Sequence, residues 1–138
     1  LFIFAFSKSL ARKESGKFEN RKTFISIVIP SFNEAENIPL LIREITNCLP
    51  VDIEFELLFV DDGSTDDTAL ELKEQAKRNP RLKYLLLSKN FGHQHALKAG
   101  LDYARGDAVI CMDGDLQHPP SLLSVMIEKW RTENYDVV

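Results

Sequence analysis

Ala108-Val109-Ile110-Cys111-Met112-Asp113-Gly114-Asp115-Leu116-Gln117-His118-Pro119-Pro120 passes from a short apolar run into two carboxylates flanking a glycine. An apolar run of that length reads as a buried strand, which places Asp113 and Asp115 at its carboxyl end. Hard divalent cations take oxygen ligands, and Mg²⁺ or Mn²⁺ held by one or two carboxylates keeps coordination positions for phosphate oxygens. Gly114 has no Cβ and so admits close approach to the backbone. The plainer alternative is a solvated Asp-Gly turn closing a strand. The surrounding segments bear on that choice.

Upstream, Phe24-Ile25-Ser26-Ile27-Val28-Ile29 is a β-branched run expected to be a buried strand stopped by Pro30. After Ser31-Phe32-Asn33-Glu34, residues Ile38, Leu41, Ile42, Ile45 and Leu49 recur at helical spacing, with Pro39 in the first turn and Pro50 past the end. Phe55 to Val60 reads as a second strand, closed by Asp61-Asp62-Gly63-Ser64. Thr65 to Lys77 reads as a helix capped by Ser64 or Thr65. Leu82 to Leu87 is a third strand, Gln94 to Ala104 a third helix and Asp107 to Met112 the fourth strand. Pro119 and Pro120 open a last helix to about Trp130, and Asp136-Val137-Val138 begins another strand. Such alternation predicts an α/β fold with a mainly parallel central sheet and right-handed crossovers.

In an open sheet of this kind ligands bind outside the carboxyl ends of the strands, and the unusual polar clusters of this chain fall there. No Gly-x-Gly-x-x-Gly follows the first strand and no Walker-type lysine motif is present. Carboxylates alone repel a diphosphate, so a site this acidic requires a cation to hold one. Asp61 suits acceptance of a ring imide N–H, with helix capping as its alternative. Asp66 and Asp67 read as capping residues, and Glu34 is open between capping and ligand contact. In Asn90-Phe91-Gly92-His93-Gln94-His95 the glycine precedes a helix and lets backbone approach a phosphate or ribose. His93 and His95, two apart, do not share a helix face and are not a metal pair; His93 is the better candidate for a diphosphate contact. His118 is open between a place beside the metal and plain exposure.

The chain has 138 residues, 44% hydrophobic and 28% charged, with a formal charge of −4. That suits one domain or part of one, gives no basic footprint and argues against nucleic acid as a partner. Cys48 and Cys111 sit in apolar contexts expected to keep them as reduced thiols, which points to a cytoplasmic setting. Residues 1–22 read as an N-terminal arm or linker: Leu1 to Phe6 is too short to span a membrane, and Ser7 to Lys22 is polar and basic. Residues 23–138 form the domain.

Five segments in register, Val28 to Glu34, Val60 to Asp66, Asn90-Phe91-Gly92, Ala104-Arg105-Gly106-Asp107 and Met112 to Gln117, together resemble the family 2 glycosyltransferases. Lys89 to Gln94 and Asp115-Leu116-Gln117-His118-Pro119-Pro120 look like its polyprenyl-phosphate branch, which includes dolichyl-phosphate mannose synthase and bactoprenyl-phosphate glucosyltransferases. The resemblance implies the nucleotide-diphospho-sugar-binding half of a GT-A, Rossmann-like fold, incomplete at its carboxyl end. It implies that Asp61 reads the base, with Pro30, Phe32, Glu34, Gly92, Asp113 and Gly114 around the donor. Asp113, Asp115 and Gln117 would hold Mg²⁺ or Mn²⁺, and Asp113 and Asp115 are the catalytic pair. Phe32 replaces a frequent tyrosine, and His95 stands where small residues are usual. The acceptor-side segment, an arginine-rich loop and carboxyl-terminal membrane helices of the family have no counterpart here, so the chain is expected to be a truncated, self-associating piece without turnover of its own.

The function so implied is inverting transfer of a sugar from a UDP- or GDP-sugar to a polyprenyl phosphate, at the cytoplasmic face of a membrane, in envelope or cell-wall biogenesis. A lipid phosphate is already ionised and needs no protein base, whereas a saccharide hydroxyl does. The alternatives are a relative acting on a saccharide hydroxyl in polysaccharide synthesis, a non-catalytic nucleotide-binding or partner-binding module, and a phosphoacceptor domain built on Asp61-Asp62.

Overall fold

The computed structural model describes residues 22–133. The arm up to residue 21 and the strand expected at Asp136-Val137-Val138 lie outside the described residues. The elements alternate: β1 (Phe24–Ser31), α1 (Ile38–Cys48), β2 (Glu54–Asp61), α2 (Thr68–Arg78), β3 (Leu82–Leu86), α3 (His93–Tyr103), β4 (Ala108–Cys111) and α4 (Leu122–Glu133). All four strands are parallel, in the order β3-β2-β1-β4. Chain order runs outward from β1 to β3 and then returns to the other side of β1. The point of reversal between β1 and β4 is where an open α/β sheet forms its ligand crevice.

Both faces of the sheet are covered, so β1 and β2 are apolar along nearly their whole length and alternate only in which layer they feed. Ile25, Ile27 and Ile29 of β1, Phe55, Leu57 and Phe59 of β2 and Ile110 of β4 share one core with α1, Leu72 of α2 and Leu123 and Ile127 of α4. Val28, Leu58, Val109 and Cys111 face the other way and pack with Leu97, Leu101 and Ala104 at α3. Each large side chain so buried contributes about 1.5–3 kcal/mol of apolar transfer. On the α3 side the helix lies so close that a Cβ on Gly100 would stand 2.3 Å from Val28 Cγ1.

That same face carries a buried polar knot. Glu56, 2% exposed, accepts from the Ser26 hydroxyl at 2.6 Å, the Lys83 ammonium at 2.7 Å and the Arg105 N–H at 3.0 Å. Ser26 Oγ in turn accepts from the Gly106 N–H at 2.7 Å. The turn leaving α3 is thereby fastened to the middle strands, which sets where β4 begins. Burial pushes the Glu56 carboxyl up, but the hydrogen bonds from Lys83, Ser26 and Arg105 outweigh it and hold it below its usual value.

Several boundaries differ from expectation. β1 runs through Pro30 to Ser31. Met112 N–H donates to Val28 O, so alternate residues of β1 point their backbone groups at β4. Pro30 therefore faces a place where β4 has already ended at Cys111, and its missing N–H costs no ladder bond. α1 starts at Ile38, not at Asn33-Glu34, and α2 at Thr68, with Asp67 rather than Ser64 or Thr65 at the N-cap and no side-chain cap bond. α4 starts at Leu122, two residues after Pro120, and reaches Glu133. The remaining ends agree within a residue.

Candidate functional site

Four loops leave the carboxyl ends of the strands, and hydrogen bonds join them in sequence. Asn33 stands in left-handed backbone at φ 52°; its Oδ1 accepts the Thr65 N–H at 2.9 Å and its N–H donates to Ser64 Oγ at 2.9 Å. Asp66 accepts from the Thr68 N–H at 2.9 Å and the Ala35 N–H at 3.4 Å. The little burial it has pushes its carboxyl up, and the Thr68 and Ala35 bonds more than offset this and lower it. The β1 and β2 loops are thus one unit. Asp62 then accepts the Phe91 and Gly92 N–H groups at 2.8 and 3.1 Å, tying the β3 loop to β2. Across the rim, His93 Nε2 lies 2.8 Å from Asp113 Oδ1 at the end of β4.

These loops surround an open cleft of about 240 Å³. Pro30, Ser31 and Phe32 line it from β1, Asp62 from β2, Asn90 and Gly92 from the β3 loop, and His93 and Ala96 from α3. Phe32 and Phe91 are exposed at 42% and 44%, unusual for aromatic rings beside a polar crevice and suited to stacking against a planar ligand.

Of the residues expected at the site from sequence, Pro30, Phe32 and Gly92 line the cleft, and Asp113 is joined to it through the cleft-lining His93. Asp61 ends β2, is buried at 3% exposure, and accepts the Ser64 N–H at 3.1 Å and the Ser64 hydroxyl on one oxygen. Its neighbour Asp62, not Asp61, lines the cleft. The Glu34 side chain accepts from Asn37 Nδ2 at 2.6 Å within the turn before α1. Gly114 is buried, and a Cβ there would meet Ser31 Oγ at 3.0 Å, so its bareness lets the end of β4 lie against the end of β1. Asp115 Oδ1 accepts the Gln117 N–H at 3.1 Å, which curls the loop after Leu116, at φ 60°. Gln117 is exposed and His118 half-buried. Cys111, buried just before the motif, has its thiol pushed up to about 11 by burial and is no nucleophile.

Among the described residues no three His, Cys, Asp or Glu side chains gather into a ready-made metal cage. The donor set still fits Mg²⁺ or Mn²⁺. Asp113 and Asp115 offer hard carboxylate oxygens and Gln117 an amide oxygen, and a cation shared with a diphosphate needs only one or two protein carboxylates. Sequence reasoning placed Asp62 and Ser31 in strand-end segments but gave neither a role of its own in the donor site. Asp62 entered only as the second carboxylate after the strand and as part of the Asp61-Asp62 alternative.

Residues 26–138 match the model of glycosyl transferase family 2. The chain is 45% identical over 115 residues to the uncharacterized glycosyltransferase sll0501 of Synechocystis sp., covering 83% of this chain and 36% of that protein. It is 46% identical over 114 residues to the uncharacterized glycosyltransferase YkcC of Bacillus subtilis, covering 82% and 35%. Among solved structures it resembles the mannosyltransferase PcManGT of Pyrobaculum calidifontis, described in complex with GDP-Man and Mn²⁺, with a TM-score of 0.61 and 28% identity over 70% of this chain and 28% of that one. It also resembles glucosyl-3-phosphoglycerate synthase of Mycobacterium tuberculosis in fold, with a TM-score of 0.63 at 24% identity over 80% and 40% of the two chains. The chain spans about a third of the length of the curated relatives it matches. It belongs to glycosyl transferase family 2 and has the α/β, GT-A-like fold.

Proposed function

We propose that this member of glycosyl transferase family 2 supplies the donor side of an inverting sugar transfer, from a UDP- or GDP-sugar to a polyprenyl phosphate at the cytoplasmic face of a membrane. The observation that carries the donor reading is the placement of Asp113-Gly114-Asp115 at the end of β4, beside the end of β1 at the point where strand order reverses. The named neighbour with GDP-Man and Mn²⁺ supports it.

In this reading Asp113, Asp115 and Gln117 hold a divalent cation on the diphosphate. When bound, that ion supplies Lewis-acid stabilisation of the departing diphosphate, worth several kcal/mol. Phe32 stacks on the base, Asp61 accepts its ring N–H at the end of β2 next to the cleft-lining Asp62, and Pro30 and Gly92 shape the walls, with Gly114 and Glu34 packed behind Pro30 and Ser31. Asp113 and Asp115 would act as the catalytic residues through the cation they would hold on the departing diphosphate. A polyprenyl phosphate, ionised at neutral pH, requires no general base, whereas a saccharide hydroxyl does. No base is assigned among the described residues, which agrees with the phosphate acceptor and equally with a base outside them. The Lys89 to Gln94 and Asp115 to Pro120 segments favour the same acceptor. No helix among the described residues is long and apolar enough to cross a membrane.

Calorimetric titration with UDP- and GDP-sugars in Mn²⁺ buffer tests the donor side. Asp115→Ala should weaken Mn²⁺-dependent nucleotide binding by more than about tenfold with little change in melting temperature. Unchanged affinity would overturn the metal assignment. Transfer to polyprenyl phosphate in detergent by the full-length protein, set against transfer to a free saccharide, decides the acceptor class.

A further inference from the structure

The link between His93 and Asp113 has a built support behind it. Asp62 is 4% exposed, and both of its carboxylate oxygens accept backbone N–H groups, from Phe91 at 2.8 Å and Gly92 at 3.1 Å. Beside it, a Cβ on Gly63 would fall 2.3 Å from the Lys89 carbonyl carbon, so the β3 loop is pressed against the β2 turn. The loop held in this way ends at Gly92, the N-cap of α3, and His93 is the first residue of that helix. From there the imidazole reaches Asp113 Oδ1 at 2.8 Å. Among the described strands β3 and β4 are the two ends of the order, so this side chain carries the β3 loop across the cleft to the acidic motif. An ionised carboxylate only accepts, so Nε2 carries the proton.

We propose that His93 is a positioning residue for Asp113, with Asp62 fixing the loop that presents it. This rests on the reading of Asp113 as a metal ligand. Asp113 is 41% exposed, lies past the end of β4 at Cys111 and is followed by a glycine, so the strand itself does not fix its side chain. A hydrogen bond on Oδ1 fixes the rotation of the carboxylate and would leave its other oxygen for a divalent cation, as partners of ligating groups do generally. The His93 side chain is itself 60% exposed, and an exposed pair of this kind adds little to folding stability. Its effect should therefore appear in metal affinity rather than in melting temperature.

Mn²⁺ affinity of the chain, measured by electron paramagnetic resonance with and without UDP or GDP, tests this directly. His93→Ala should weaken Mn²⁺ binding about tenfold, and His93→Gln, whose amide N–H can reach Asp113, should restore most of it. Asp62→Asn places a donor against one of the two loop N–H groups and should weaken Mn²⁺ binding similarly. Melting temperatures of the two His93 variants should match the parent. Mn²⁺ affinity that is unchanged or higher in His93→Ala overturns the proposal. So does an unchanged Mn²⁺ affinity accompanied by weaker nucleotide binding in metal-free buffer, which would make His93 a direct phosphate contact. Asp115→Ala separates the two levels: if it lowers Mn²⁺ affinity while His93→Ala does not, only the positioning role fails. If neither matters, the metal reading fails with it.

Discussion

Removing the Glu56 carboxylate should loosen the turn that starts β4, and the structure sets the size of the effect. Glu56→Ala deletes the acceptor of three hydrogen bonds, from Ser26, Lys83 and Arg105. The losses are unequal. Arg105 N–H keeps Ser26 Oγ at 3.1 Å, and Lys83, 51% exposed, regains water. One charge-assisted bond of about 1.5–3 kcal/mol and the small void left behind remain, so about 3 kcal/mol is expected, the low end for breaking a buried pair. Glu56→Gln keeps an acceptor and should cost about 1–2 kcal/mol. Because the folded carboxyl is held below its usual value of 4.5, its contribution is full above that value and fades as pH falls through the lower folded one. Urea unfolding of parent and Glu56→Gln should therefore show a gap at pH 7 that narrows steadily below about pH 4.5. A gap that stays constant down to pH 3, or an alanine variant within about 1 kcal/mol of the parent, would refute this account of the knot.

Gly63→Ala should be costly on two counts. Its φ of 69° disfavours any side chain by about 1–2 kcal/mol, and the new Cβ meets Lys89 backbone at 2.3 Å; nucleotide affinity should fall with stability, because the β3 loop must move. Asp61→Asn preserves shape and, with Oδ1 engaged by Ser64, offers an N–H where the carboxylate is proposed to read the base. The UDP to CDP affinity ratio should shrink, and an unaltered ratio would leave Asp61 as a structural residue of the turn.

The layering of this fold was legible because parallel strands covered on both faces read as unbroken apolar runs. Phe24 to Ile29 and Phe55 to Val60 announce themselves in that way, and the helices between them carry apolar residues at helical spacing. Helix starts were misread for one physical reason. Ser64, Thr65, Asn33 and Glu34 are residues of capping type, but Ser64 Oγ serves Asp61 behind it and Asn33 across the loop, and Asn33 Oδ1 serves Thr65 across the loop, rather than backbone one turn ahead. Local chemistry identifies such a residue as a hydrogen-bonding hinge without saying which backbone it serves. Pro30 misled in the opposite sense, since whether a proline ends a strand depends on how far the neighbouring strand extends.

The same distinction separates the parts of the site. Carboxylates at strand ends were visible in sequence because a strand end is a local event, and the sheet then gathers them at one rim. The links that join them are long-range: Asp62 to Phe91, His93 to Asp113 and Glu56 to Arg105 are separated by 29, 20 and 49 positions. None leaves a local pattern, and Glu56 sits inside an apolar run that gave no hint of a polar knot. Yet these links decide whether the legible residues stand in register. β4 has only four residues, and its bonds to β1 alone hold it loosely among the described strands. Its start is fixed by the Glu56 and Ser26 knot and its exit by Gly114 against Ser31 and by His93 on Asp113. A short strand anchored at both ends can deliver two carboxylates to a fixed point beside β1. The acidic motif depends for its placement on residues that no motif contains.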